Sequence, residues 1–220
     1  MAGGSALNTA VHAAAFSQYL KNYGIGSVEV SLFSATGEDY QSSICHHHLI
    51  SFPTLVNNII KKHDYHTGTC IVISGETDRC FITDRGCMEF LSFSWFDALQ
   101  LTDTNHFHIG GYYNCSKLQS ESINFFQHLR SLGKTTSMSP QYDATGKWAY
   151  IKEICPHLTF FIGNQTEAKL ATKCVDMMSA AKWLLEAGCS YVVITEGGEG
   201  ASVYYLEREV DRETEREKGE

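Results

Sequence analysis

Two short apolar runs, LTFFIGN at 158–164 and YVVIT at 191–195, are separated by a stretch holding two helix-patterned segments, TEAKLAT and MMSAAKWLLEAG. Strands joined by helical crossovers of that size can lie parallel in one sheet, whereas a tight hairpin makes its strands antiparallel. This alternation selects an α/β architecture, a parallel sheet covered by helices, and it extends upstream. Leu7, Val11, Ala14 or Ala15, and Tyr19 share one helical stripe, with Gly24 as its stop. Val28, Val30 and Leu32 alternate with polar neighbours as a strand does, running out through SATGEDY into a turn. HFHIGGYY reads as a strand ending on paired glycines. Leu118, Phe125, Leu129 and Leu132 mark an amphipathic helix closed by Gly133, and Gly188 closes the helix at MMSAAKWLLEAG. The unbroken apolarity of YVVIT predicts a strand covered on both faces.

Two segments resist the alternation. HHHLISFPTLVNNIIKKH has helical spacing on both sides of Pro53, which should break or kink a helix. GTCIVISGETDRCFITDRG reads as two strands joined at 75–78, a hairpin best placed outside the sheet as a small β lid.

At 220 residues and 43% hydrophobic, the chain fits one globular domain with a substantial core. Its 17 Lys and Arg are scattered, which argues against a nucleic-acid surface, and no apolar run is long enough to span a membrane. The eight cysteines include no CxxC pair, so reduced thiols in a cytoplasmic protein are the simplest account. The first 28 residues lack acids, as transit peptides do, but hold no Arg and only Lys21.

Three segments in this order resemble the ribokinase-like (pfkB) family of carbohydrate kinases. GGSALN at 3–8 resembles the family's GG-x-x-x-N signature and is followed by SATGEDY, similar to its G-x-D turn. FIGNQTEAKL carries Asn164 and Glu167 as an N-x-x-E motif, and VVITEGGEGA resembles the V-T-x-G-x-x-G strand and turn. HTGTCIVIS and DRCFITDRG resemble the lid strands, around 67–86. The resemblance covers residues 1–205 as one kinase domain, leaving 206–220 as a charged, solvated or disordered tail.

The resemblance implies ATP-dependent transfer of a γ-phosphoryl group, with Mg2+, to a hydroxyl of a sugar or nucleoside. Gly3, Gly4 and Asn8 would then bind substrate. Glycines let backbone approach a polyol, and an Asn side chain offers both donor and acceptor atoms. Asn164 and Glu167 would organise Mg2+ and its waters, and Thr195, Gly197 and Gly200 would line the nucleotide phosphates. No protein ligand to the metal is assigned directly. The family's G-A-G-D segment, which supplies an anion hole and the catalytic Asp, has no counterpart after Gly200, where LEREVDRETEREKGE stands instead. Met1 falls almost on the GG signature, so the family's first strand and its sugar-binding Asp have no counterpart either. The expectation is a chain cut short at both ends, inactive as written, with apolar strand faces exposed and low solubility.

Other readings stand beside this one. A non-catalytic sugar-binding or regulatory protein of the same fold, dimerising through its lid strands, fits the same motifs. A Rossmann-type oxidoreductase would need a G-x-G-x-x-G after an early strand, which is missing. Taken singly, Asn8 could be a helix cap and N-x-x-E a dipole-complementing first turn. His46, His47 and His48 cannot all reach one ion from a helix, which favours a solvated patch. Asp39 is read as a cap on neighbouring amides, Asp84 and Arg85 as substrate contacts or a strand-end ion pair. Ser139 stands where related kinases often carry an Asp. In the tail, Arg208, Arg212 and Arg216 recur every fourth residue, with Glu209 and Glu213 between them, as an exposed helix would.

Overall fold

The computed structural model describes residues 1–76 and 78–206. The residues of the charged tail from 207 onward, with their expected helix, lie outside the described residues. Helix α1 (Ser5–Asn22) leads into strand β1 (Val30–Thr36), helix α2 (Tyr40–Ile50) and strand β2 (Leu55–Lys61), which pairs parallel to β1. The ambiguous Pro53 segment is therefore a helix followed by a strand, with the proline in the link, where its missing N–H costs no ladder bond. Strands β3 (Thr69–Ser74) and β4 (Arg79–Asp84) form the antiparallel hairpin, outside the sheets as the sequence suggested.

Helix α3 (Ala98–Thr102) precedes β5 (His106–Gly110), α4 (Ser116–Ser131), β6 (Thr135–Ser139), α5 (Ile151–Ile154) and β7 (Phe160–Asn164). Helices α6 (Gln165–Thr172) and α7 (Met177–Glu186) then lead to β8 (Tyr191–Thr195) and β9 (Ala201–Tyr205). The main sheet has the order β5-β6-β7-β8-β9, with β5 to β8 parallel. The parallel sheet covered by helices is as expected, and one further strand, β9, is added at its edge. β9 follows β8 through a five-residue glycine turn, too short for a crossover, and so pairs antiparallel.

One face of this sheet is closed by α4, α6 and α7. Alternate strand residues Ile109, Met138, Phe161, Val192 and Ile194 point into that layer and are buried with Phe126 and Leu129 of α4 and Leu184 of α7. The α4 stripe is Leu118, Ser122, Phe126 and Leu129, whereas Leu132 lies beyond the helix end and is 48% exposed. Two adjacent phenylalanines can both satisfy an amphipathic pattern, and the sheet selects Phe126 as the fully buried one. On α1 the buried stripe is Leu7, Ala10, Val11, Ala14 and Ser17; Tyr19 faces out and packs on Tyr23 at 4.6 Å between ring centroids.

The other face of the main sheet is only partly covered. Phe160 stacks on Tyr191 at 5.1 Å, and Tyr191, Val203 and Tyr205 are exposed, so YVVIT buries only Val192 and Ile194 completely. Exposed apolar sheet surface of this kind favours self-association. Replacing Tyr191 and Val203 together by Thr, a strand-compatible polar residue, should raise the soluble fraction severalfold without lowering the melting temperature. Sedimentation of the expressed variant against wild type checks this.

Candidate functional site

The carboxyl ends of the parallel strands lie along one edge, and this edge collects the motif residues. Asn164 closes β7 and pairs in register with Thr195, which closes β8. Gly110 closes β5 opposite Ser139, the last residue of β6. With strands about 4.8 Å apart, β5 and β7 ends are separated by roughly 10 Å, the span of a small ligand. In open α/β sheets this edge is where ligands bind.

The amino end of α1 is pinned to the same edge by close packing. A Cβ on Gly110 would lie 2.9 Å from the Ala6 amide nitrogen and 3.1 Å from Ser5 Oγ. Only a glycine lets β5 touch the first turn of α1, a role the paired glycines of HFHIGGYY did not reveal in sequence. Gly3 and Gly4 therefore sit beside the sheet edge, with open space around them, and Asn8 lies one turn into the helix, exposed. Gly4 is the N-cap and the Asn8 amide donates to its carbonyl at 2.9 Å, so Asn8 is not the helix cap. Its side chain has no hydrogen-bond partner among the described residues.

At the opposite end, the turn after Thr195 is closed by the Glu196 amide donating to the Gly200 carbonyl at 2.8 Å. Gly197, Gly198 and Gly200 have nothing within 4 Å of a built Cβ, so their backbone is open to an approaching group. Asn164 and Glu167 form a reciprocal capping box at the start of α6. The Glu167 amide donates to Asn164 Oδ1 at 2.9 Å, and the Asn164 amide donates to Glu167 Oε2 at 3.0 Å. Glu167 is half-buried, and burial raises its carboxyl above the usual range against the lowering effect of the Asn164 bonds. Its Oε1 has no protein partner among the described residues, so the pair keeps an oxygen acceptor suited to a hydrated hard cation. Asn164→Ala should cost about 1 kcal/mol of stability through the lost cap, read by chemical denaturation.

The hairpin root is held by side-chain hydrogen bonds from a distant helix cap. Asp39 caps α2 by accepting from the Ser42 amide at 2.8 Å, and its carboxylate also takes the Thr67 amide and hydroxyl, each at 2.7 Å. The G-x-D turn thus ties α2 to the segment entering β3, a wider role than a local cap. Burial pushes the Asp39 carboxyl up, but the Thr67 and Ser42 bonds outweigh it and hold it below the usual carboxylate range. A depressed carboxyl stabilises the fold above its unfolded pKa and loses that contribution as pH falls through the folded one. Protection from hydrogen exchange at the hairpin root, measured relative to the intrinsic rate at each pH, should accordingly fall below about pH 4, and Asp39→Asn should remove that acid dependence.

Asp84 pairs with His66 at 2.9 Å across the mouth of the hairpin, while the Arg85 guanidinium donates to Ser116 Oγ at 3.3 Å. Asp84 and Arg85 are therefore not partners of each other. The histidine run contains no metal-binding group of three among the described residues: His47 is exposed, and His46 and His48 are half-buried on α2. A cleft of about 470 Å³ at the hairpin root is lined by Asp39, His66, Thr67, Ile71, Ile82 and Asp84 among others. Another, of about 500 Å³, lies between Trp148, Lys169 and Lys173. Neither includes Asn8, Asn164 or Gly197.

A family model for the pfkB carbohydrate kinases matches residues 1–218. The chain belongs to the pfkB carbohydrate kinase family. A search among curated proteins returned no match. Solved structures share the fold. Fructokinase from Xylella fastidiosa superposes with a TM-score of 0.75 at 13% identity, covering 93% of this chain and 66% of that one. Anopheles gambiae adenosine kinase, in complex with P1,P4-di(adenosine-5) tetraphosphate, gives 0.74 at 18% identity over 94% and 66%. Ribokinase from Thermotoga maritima gives 0.72 at 16% over 94% and 64%. This pfkB-family chain thus spans about two thirds of the length of these kinases. No helix among its described residues is long and apolar enough to cross a membrane.

Proposed function

We propose that the carboxyl edge of the sheet is a kinase-type site of the pfkB family. In this reading Gly3, Gly4 and Asn8 receive hydroxyls of a sugar or nucleoside, and Thr195, Gly197 and Gly200 line the phosphates of ATP. Asn164 and Glu167 would hold the waters of a Mg2+ ion, which would neutralise charge on the phosphates. The observation that carries the reading is the register pairing of Asn164 with Thr195 on the edge that also holds the amino end of α1. Support comes from the family match and from an Escherichia coli structure of the same fold in complex with ATP and Mg2+.

Phosphoryl transfer needs the acceptor hydroxyl held in line, charge neutralised on the moving group, and a base for the proton. The residues named serve the first two tasks. No G-x-G-D follows Gly200 in the sequence, and no carboxylate is assigned as base. The residues named are therefore read as the binding part of the site. Calorimetry should detect a sugar or nucleoside from a panel of ribose, fructose and adenosine, with Asn8→Ala weakening it about tenfold, the worth of one net hydrogen bond. Absence of binding to every member, and to ATP with Mg2+, refutes the reading.

The same fold without catalysis is the second reading. It is favoured by the hairpin, whose Ile71, Val72, Ile73, Phe81 and Ile82 are all more than half exposed on its two faces. A lid closing on a ligand uses one face; a homodimer through the lid strands would use the other.

A further inference from the structure

Four non-glycine residues among the described ones have a left-handed backbone: Gln141 at φ +60, Trp148 at +49, Tyr150 at +64 and Lys173 at +60. All four sit in or beside the cleft of about 500 Å³ between the loop after β6 and the end of α6. Trp148 and Lys173 line it from opposite walls, and Gln141 and Tyr150 flank Tyr142 and Trp148 along the loop. L-residues adopt this conformation at a cost, and such positions gather at ligand clamps because the surrounding structure has to hold them. Here the holding contacts are visible. The Trp148 amide donates to the Asp143 carboxylate at 2.7 Å, and the Lys173 amide returns to the Lys169 carbonyl.

The two walls differ in chemistry. On the loop side Tyr142 presents an exposed ring, set edge to face against Trp148 at 6.3 Å between centroids and 87°. Trp148 packs in turn on the buried Tyr113 at 5.0 Å, which gives Tyr142 a fixed base. Gly146 leaves the loop backbone open, with nothing within 4 Å of a built Cβ. On the helix side Lys169 and Lys173 stand one turn apart, with the exposed Leu170 and Val175 beside them. No acid lines the cleft, and neither lysine is in ion-pair contact with a carboxylate among the described residues. The adjoining carboxylates are committed elsewhere. Asp143 is buried on its Trp148 and Thr145 bonds, and Asp176 caps α7 through the Ser179 amide and hydroxyl at 2.8 and 2.7 Å. On a chain of net charge −8, two unpaired ammonium groups facing an exposed aromatic ring suit an anion with a flat body.

We propose that this cleft binds a phosphate monoester carrying an aromatic ring. The ring stacks on Tyr142, with Leu170 and Val175 along its apolar edge. The phosphate, with a charge near −2 at neutral pH, takes both ammonium groups, whereas a carboxylate brings only one charge. The cleft volume falls within the usual range for small-molecule sites. Lys169 and Lys173 follow Asn164 by five and nine residues, roughly 7–14 Å along α6 from the sheet edge. The inference is therefore independent of the proposed kinase site.

The test titrates phenyl phosphate into the full chain by calorimetry and maps its position by NMR. Binding should saturate and shift the Trp148 indole and the Gly146 and Cys174 amides, leaving Gly197 and Gly198 unmoved. Lys169→Met combined with Lys173→Met should weaken binding about tenfold. Tyr142→Ala should weaken it about fivefold, and Lys21→Met on α1 should leave it unchanged. Inorganic phosphate lacks the ring and benzoate the second charge, and each should bind about tenfold more weakly. Shifts centred on Gly197 and Gly198, either of these smaller anions binding as tightly as phenyl phosphate, or no saturable binding overturns the proposal. So does a double-lysine variant whose melting temperature falls while its affinity holds, since the lysines then serve only the dipole of α6.

Discussion

Gly86→Ala is expected to dismantle the root of the β3–β4 hairpin and to cost at least about 3 kcal/mol, because two penalties act together. Gly86 has φ +50, a left-handed conformation that non-glycine residues adopt at a cost of about 1 kcal/mol or more. Its added methyl would also lie 2.4 Å from the His66 carbonyl oxygen and 2.8 Å from the Gly68 nitrogen. Both are backbone atoms of the strand entering the hairpin, held by the Cys87 amide bonding the His66 carbonyl at 2.8 Å. No rotamer change relieves such a clash. Gly146→Ala is the control for strain alone: Gly146 has φ +67 but nothing within 4 Å, and should lose only about 1 kcal/mol. Chemical denaturation of the two variants separates the terms, and equal losses would show that packing at the hairpin root contributes nothing.

Asp143→Ala should destabilise by about 2–3 kcal/mol, or roughly 5–10 °C in Tm for a chain of this size. Asp143 is 3% exposed, and its carboxylate takes the buried Trp148 amide at 2.7 Å, the Thr145 amide at 2.9 Å and the Thr145 hydroxyl at 2.8 Å. Burial alone would raise this carboxyl, but the Trp148 and Thr145 bonds prevail and hold it below the usual carboxylate range. Its contribution is therefore present above the unfolded pKa and lost as pH falls through the folded one. Without the carboxylate, the Trp148 amide is left buried and unpaired, whereas the exposed Thr145 regains water. Trp148 has φ +49, so this strained backbone is held by the same bonds. Asp143→Asn should not rescue, because its amide would turn two donors toward one of the donors that Asp143 now satisfies. Calorimetric melting of both variants between pH 3 and 7 checks the prediction. A full rescue by Asn would show that volume rather than charge matters there.

Local signals along the chain decide element types wherever backbone chemistry dominates. Glycines ended α1, α4 and α7, the Gly75–Asp78 composition made the β3–β4 hairpin, and the spacing between LTFFIGN and YVVIT required helical crossovers. The motif residues Asn164 and Thr195 were legible because strand ends in a parallel sheet share one edge whatever the side chains between them. The sequence could not reveal features that arise from contacts between distant segments. Phe126 rather than Phe125, the exposure of Tyr19, and the antiparallel turn-back of β9 depend on which surface each element meets. Gly110 looked like any strand end until α1 lay against it, and Asp39 like a local cap until Thr67 was 28 residues away and bonded to it. Periodicity reports one element's own preference for water or core, whereas a bond or a clash between segments exists only once the backbone has brought them together.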